Sequence, residues 1–196
     1  MTAERLSRTS PALRADIANR ALDALATSRT DNPTHAQTLA HLVSTYRLTR
    51  DAVIAHAIRD ATRQDRVDAL VRTFRAAPTA QQPKLAAAAL VATYIAGWQP
   101  AVLVTLAKHA DPNDGLKHLF ANAINERVAP DHLRRVLVDA LDTTMTAADD
   151  LWTAQRSTSG TRAIDRPDTR SRPSGGRPEH GPDRPIGRGP GGRDLT

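Results

Sequence analysis

From Leu13 to Trp152 the apolar residues recur every third or fourth position, and no stretch alternates with the period of two that a half-buried strand requires. A chain patterned this way can bury its apolar stripes only by packing helix on helix. Proline and cap residues divide the pattern into eight segments. Ser10-Pro11 opens the first, a hydroxyl N-cap followed by a proline whose missing N–H costs nothing there, and Leu13, Ile17, Ala21, Leu22 and Leu25 follow. Thr30-Asp31-Asn32-Pro33 ends it. Thr34 with Gln37 reads as a capping box for a second helix carrying Leu39, Leu42, Val43 and Tyr46. Thr49 is placed to cap a third, with Val53, Ile54, Ala57 and Ile58, and a fourth carries Val67, Leu70, Val71 and Phe74.

Pro78 and Pro83 bracket a loop before a fifth helix from about Gln82, whose Leu85, Ala88, Ala89 and Ala92 permit a close helix–helix approach. Gly97 suits its C-cap, because glycine adopts positive φ without a Cβ clash. Pro100 opens the sixth helix, with Val102, Leu103, Leu106 and Ala107, and Asp111-Pro112-Asn113 closes it. The seventh holds Leu116, Leu119, Phe120, Ala123 and Ile124. The eighth starts at Pro130 and runs its stripe through Leu133, Val136, Leu137, Ala140, Leu141 and Met145 toward Leu151 and Trp152.

The expected fold is therefore all-α, an antiparallel array of about eight helices or a fragment of an α-solenoid. Helices five and six suggest a tetratricopeptide-like hairpin, with Ala107 and Pro112 where that repeat has its late alanine and closing proline. No second copy occurs at that period. The predicted organisation is a flexible N-terminus over 1–9, one helical domain over 10–156, and a disordered tail over 157–196 rich in Arg, Pro and Gly.

The chain has 196 residues and no cysteine, which removes disulfides, thiolate zinc sites and thiol nucleophiles from consideration. No apolar run has the length of a signal peptide or a membrane span, so a cytoplasmic protein without membrane contact is expected. The net charge of +6 is concentrated in the tail, where residues 156–196 hold nine Arg against five Asp or Glu. Such a segment either stays solvated or contacts polyanions, and Arg170, Arg172, Arg177, Arg184, Arg188 and Arg193 are its candidate phosphate contacts.

Three stretches carry a family resemblance: Arg50-Asp51-Ala52-Val53-Ile54-Ala55, the run from Gly97 through Ala107 to Asp111-Pro112-Asn113-Asp114-Gly115-Leu116, and Val128-Ala129-Pro130-Asp131-His132-Leu133. Their order and spacing resemble the C-terminal half of an actinobacterial domain-of-unknown-function family, number 4192, over Leu39 to Leu141. The sequence departs from that pattern in lacking a Gly before Gly97 and in placing Lys108 where the family has Leu. The family's larger N-terminal portion has no counterpart. The shared residues are helix-packing and turn positions, so the resemblance implies a helical fold and carries no activity.

Chemistry-bearing patterns are sparse. His35 and His41 are six apart and His109 and His118 nine apart, spacings that put no two imidazoles on one helical turn as a metal site needs. His109 with Asp111 reads as a turn-capping pair. The carboxylates Asp139 and Asp142, and Asp149 and Asp150, read as solvated helix surface rather than an acid/base pair. The glycines cluster in the tail and form no phosphate loop between strand and helix. Trp98 reads as a packing anchor, with an exposed partner contact as the alternative. Arg47, Arg50, Arg59, Arg63 and Arg66 lack a single recognition face and are diluted by Asp51, Asp60 and Asp65. No catalytic, cofactor-binding or metal-binding residue is assigned. The expected function is a non-enzymatic module for an unidentified protein partner; the alternative is nonspecific nucleic-acid binding through the tail.

Overall fold

The computed structural model of the chain describes residues 6, 8–28 and 32–164. Among them the fold is all-α, with eight helices and no strand: α1 (Pro11–Thr27), α2 (Pro33–Thr45), α3 (Arg47–Ile58), α4 (Gln64–Ala76), α5 (Gln82–Ile95), α6 (Pro100–His109), α7 (Gly115–Asn125) and α8 (Pro130–Ile164). The order and number of helices match the periodic segments of the sequence, because each boundary is set by local chemistry. Ser10 caps α1 by accepting from the Leu13 N–H, and Pro11 follows it. At the end of α5 Gly97 takes φ +75, and the Gly97 and Trp98 N–H groups bond back to the Tyr94 and Thr93 carbonyls.

Two caps differ from the sequence reading. Asn32, not Thr34, caps α2: its side chain accepts from the Thr34 and His35 N–H groups, and Pro33 takes the first helical position. Asn32 and Pro33, which the sequence pattern places at the end of the previous segment, together start the next one. Likewise Thr49 does not cap α3, which begins at Arg47 with Tyr46 in the cap position and no side-chain cap. Thr49 instead lies within the first turn, 1% exposed.

Helix α5 is the hub. From Leu85 to Trp98 it has no charged residue, and Leu85 through Thr93, with Ile95, are all buried. A helix apolar on every side is stable only when surrounded. Ala86, Ala87, Ala88 and Ala89 are completely inaccessible, and these small side chains let α2, α3, α4, α6, α7 and α8 approach the same short rod. The first five helices share one core of Leu22, Leu39, Leu42, Ile54, Leu70, Leu85 and Leu90, each effectively inaccessible.

The last three helices pack differently. α6 and α7 make their principal contacts with α5, and α8 lies across α1, α3 and α5. At 35 residues α8 spans about 52 Å. Arg134 near its start donates to the Ile95 carbonyl, Asp142 pairs with Arg59 at 2.7 Å, and Asp149 accepts from the Ala12 N–H at the start of α1. α8 continues to Ile164, past residue 156 where the composition change placed the domain end. At the other end Leu6, within the segment expected to be flexible, is 4% exposed and part of the core. Residues 165–196 lie outside the described residues, and with them all six candidate tail arginines.

Candidate binding surfaces

The first turns of α3, α5 and α7 meet around a polar cleft of about 490 Å³, lined among others by Arg47, Arg50, Asp51, Lys84, Asn113 and Asp114. Its anchor is a buried ion pair. Arg50 Nη1 donates to Asp114 Oδ2 at 2.7 Å, with the two side chains 8% and 2% exposed. Lys84 Nζ donates to the same oxygen at 3.0 Å and reaches Asp111 at 3.4 Å. The other oxygen of Asp114 caps α7 by accepting from the Leu116 N–H at 3.0 Å. Asp114 is thus fully engaged: burial opposes its ionisation, but the Leu116 N–H, Lys84 and Arg50 together hold its pKa below the ordinary carboxylate value.

Asp51 is held less well. Arg50 Nε reaches it at 3.3 Å and the exposed Arg47 only at 3.9 Å. Burial raises its pKa, and the two guanidinium groups offset that only in part. Asp111 accepts from the Asn113 N–H, and that bond, with Lys84, lowers its pKa. Within one cleft the same residue type therefore occupies opposed electrostatic settings, which is a mark of functional sites as well as of structural ion networks.

A second ionic junction ties α1, α3 and α4 together. Asp23 accepts from Arg66 Nε at 2.7 Å and faces His56 Nε2 at 3.0 Å, while Arg66 also reaches the His56 carbonyl. Arg63 pairs with Asp65 and Arg59 with Asp142. Of the five body arginines weighed as a DNA-reading face, four are engaged by carboxylates at 3.3 Å or closer, and Arg47 is held only by its distant contact with Asp51.

The outer side of the C-terminal helices is the other candidate surface. Leu106 is the one buried residue of α6, and Phe120 and Ala123 are the buried residues of α7. Val104, Ile124, Val136 and Leu151 are about half exposed or more. Along α8 the exposed residues Val136, Ala140, Thr143, Ala147, Leu151 and Ala154 fall on one face at helical spacing.

The remaining sequence-level candidates are placed in unremarkable settings. His109 stacks edge-on against Phe74 rather than capping with Asp111. Asp139 and Asp142 do not converge, since Asp142 is turned to Arg59, and Asp149 accepts from the Ala12 N–H. Among the described residues no group of three or more His, Asp or Glu is placed to hold a metal ion, and no helix is long and apolar enough to cross a membrane. Trp98 packs against the core with its N–H donated to Gln64. The sequence analysis does not single out the Arg50, Lys84 and Asp114 cluster; the available signal is an Asp directly before Gly115-Leu116, an N-cap, together with the adjacent Arg50-Asp51 pair of α3. Set against known proteins, no family model matches the chain, and no curated protein or solved structure matches it.

Proposed function

We propose that the chain is a non-enzymatic, cytoplasmic interaction module whose helical body presents the outer side of α6, α7 and α8 to an apolar helical segment of a partner protein. The observation that carries this reading is the exposed apolar line along α8; α6 and α7, which bury only a narrow stripe each, leave further side chains outward. Val136 and Leu151 supply the large side chains of that line, and the alanines between them allow a second helix to lie close. The α5–α6 pair, joined by the Gly97 turn, supports the tetratricopeptide-like reading of that hairpin. Support for the resemblance to the domain-of-unknown-function family is that residues of its first two stretches, Arg50-Asp51 and Asn113 to Leu116, line one cleft.

The test is a photo-crosslinking amino acid introduced at Val104, Val136 and Arg20 in cells. The expected outcome is one protein species captured at Val104 and Val136 and not at Arg20, and lost in a Val136→Asp, Leu151→Asp variant with unchanged helicity. Identical capture at all three positions, or capture that survives the double variant, overturns the reading. A second reading, nonspecific nucleic-acid binding, rests on the charge asymmetry of the tail, since the body arginines are largely paired. It predicts salt-sensitive binding of labelled single strands that disappears when the chain ends at residue 164.

A further inference from the structure

Three features of the cleft between α3, α5 and α7 have no use in the interaction surface proposed above. The first is its wall charge: Arg47, Arg50 and Lys84 are balanced by Asp51, Asp114 and, against Lys84, Asp111, and of the three cations Arg47 is the one held only at 3.9 Å. The second is the state of the carboxylates. Asp114 accepts from Arg50, Lys84 and the Leu116 N–H, and Asp111 from the Asn113 N–H and Lys84, so both are occupied by the protein itself. The third is the orientation of the helices. First-turn residues of α3, α5 and α7 bring three helix N-termini to the cleft, and the last turn of α2, Val43 to Thr45, lines it with a helix C-terminus. α7 is capped by Asp114, whereas α3 has no side-chain cap.

A buried ion pair such as Arg50–Asp114 adds little net stability compared with apolar residues of the same volume. It does hold a guanidinium rigidly at the base of an open cleft, beside an ammonium group whose protonation is strengthened first by Asp114. Arg47 completes the set from the rim, 85% exposed and restrained only by its 3.9 Å contact with Asp51. Thr45 and Asn113 add neutral donors, and Val43, Leu116 and Leu119 an apolar side for the rest of a ligand. A volume of about 490 Å³ suits a small molecule rather than a folded partner.

We propose that this cleft binds a small oxyanion-bearing ligand, a phosphate monoester or a carboxylate, with Arg47 and Lys84 contacting the anion, Arg50 positioned behind them, and the uncapped start of α3 facing it. Asp51 then limits affinity, because its carboxylate competes with the ligand for Arg47.

The test is an amide-resolved NMR titration of the full chain with inorganic phosphate, with acetate, and with chloride at matched ionic strength. Phosphate is expected to shift the amides of Arg47, Leu48, Lys84 and Leu116. The same shifts with phosphate alone assign a phosphate-bearing ligand, and with acetate as well a carboxylate too; both outcomes support an oxyanion site. Arg47→Ala, at an exposed side chain whose loss leaves the fold intact, weakens phosphate about tenfold. Asp51→Asn tightens it about threefold, a change that an ion cluster serving only structure would not produce. Shifts no larger than those of chloride, shifts confined to the tail, or an affinity untouched by Arg47→Ala overturn the proposal.

Discussion

The first five helices and the last three are built from similar residues but solve different problems. In α5 ten of fourteen residues are buried; in α6 one of ten is. Both segments are rich in Ala, Leu and Val. The difference is one of neighbours: α5 is enclosed on all sides, whereas α6 and α7 lean chiefly on α5 and leave their far sides to solvent. Burial, and with it stability, therefore belongs to the N-terminal five-helix core, and unspent apolar surface belongs to the C-terminal three. That division is what makes the outer helices the binding candidates, since elements that bind must keep surface in reserve.

The sharpest way to break this contrast is to truncate one leucine in each region. Leu90→Ala, at an inaccessible position of α5, is expected to cost about 4 kcal/mol, and Leu103→Ala, half-buried on α6, about 1 kcal/mol, read from urea unfolding. Equal costs would show that α6 is held as tightly as α5 despite its exposure.

The ionic cleft joins the two regions, because Arg50 belongs to the first and Asp114 to the second. Asp114→Ala is expected to cost about 3 kcal/mol at neutral pH by leaving Arg50 buried without its partner. The pH dependence has a definite sign. The pKa of Asp114 is lowered in the folded state, so its contribution is present above the ordinary carboxylate pKa of about 3.9 and is lost as pH falls through the lower folded value. Asp51 behaves oppositely: its raised pKa means that its contribution is favourable in acid and is lost as pH rises through the folded value. Asp51→Asn is accordingly expected to stabilise at pH 7, with the gain shrinking toward pH 4, as seen in unfolding midpoints at the two pH values. A gain that grows in acid would reverse the assignment.

The smallest effect separates two turns that the backbone treats alike. The ends of α5 and α7 show the same closing hydrogen bonds, Trp98 N–H to the Thr93 carbonyl and Val128 N–H to the Ala123 carbonyl. One uses Gly97 at φ +75 and the other Arg127 at φ 54. An L-residue there pays for its Cβ, so Arg127→Gly should raise stability by about 0.5–1 kcal/mol and shift the thermal midpoint up by a few degrees. A loss on that substitution would mean that the Arg127 side chain holds the turn.

Much of this architecture was legible from local signals. Pro11, Pro33, Pro83, Pro100 and Pro130 each stand at the start of a helix, and Gly97 just after the end of one. A cap or a proline acts within one turn of itself, so its effect survives without knowledge of the rest of the molecule. The errors were also local. The pattern of turn residues places Asn32 on the wrong side of a boundary, and the hydroxyl of Thr49 mimics a cap where Tyr46 holds that place.

What the sequence by itself determined is the helical class, the order of the eight helices from Pro11 to Ile164, and the segment in which positive charge collects; each follows from periodicity, capping or composition. Only the tertiary structure decided that α5 is the hub, that α6–α8 keep an open side, and that Arg50, Lys84 and Asp114 share one cleft. Those residues are 64 positions apart at the extremes, and nothing local ties an arginine in one helix to an N-cap four helices later. Their meeting depends on how closely helices can approach around four consecutive alanines, which is a property of packing and not of any one segment.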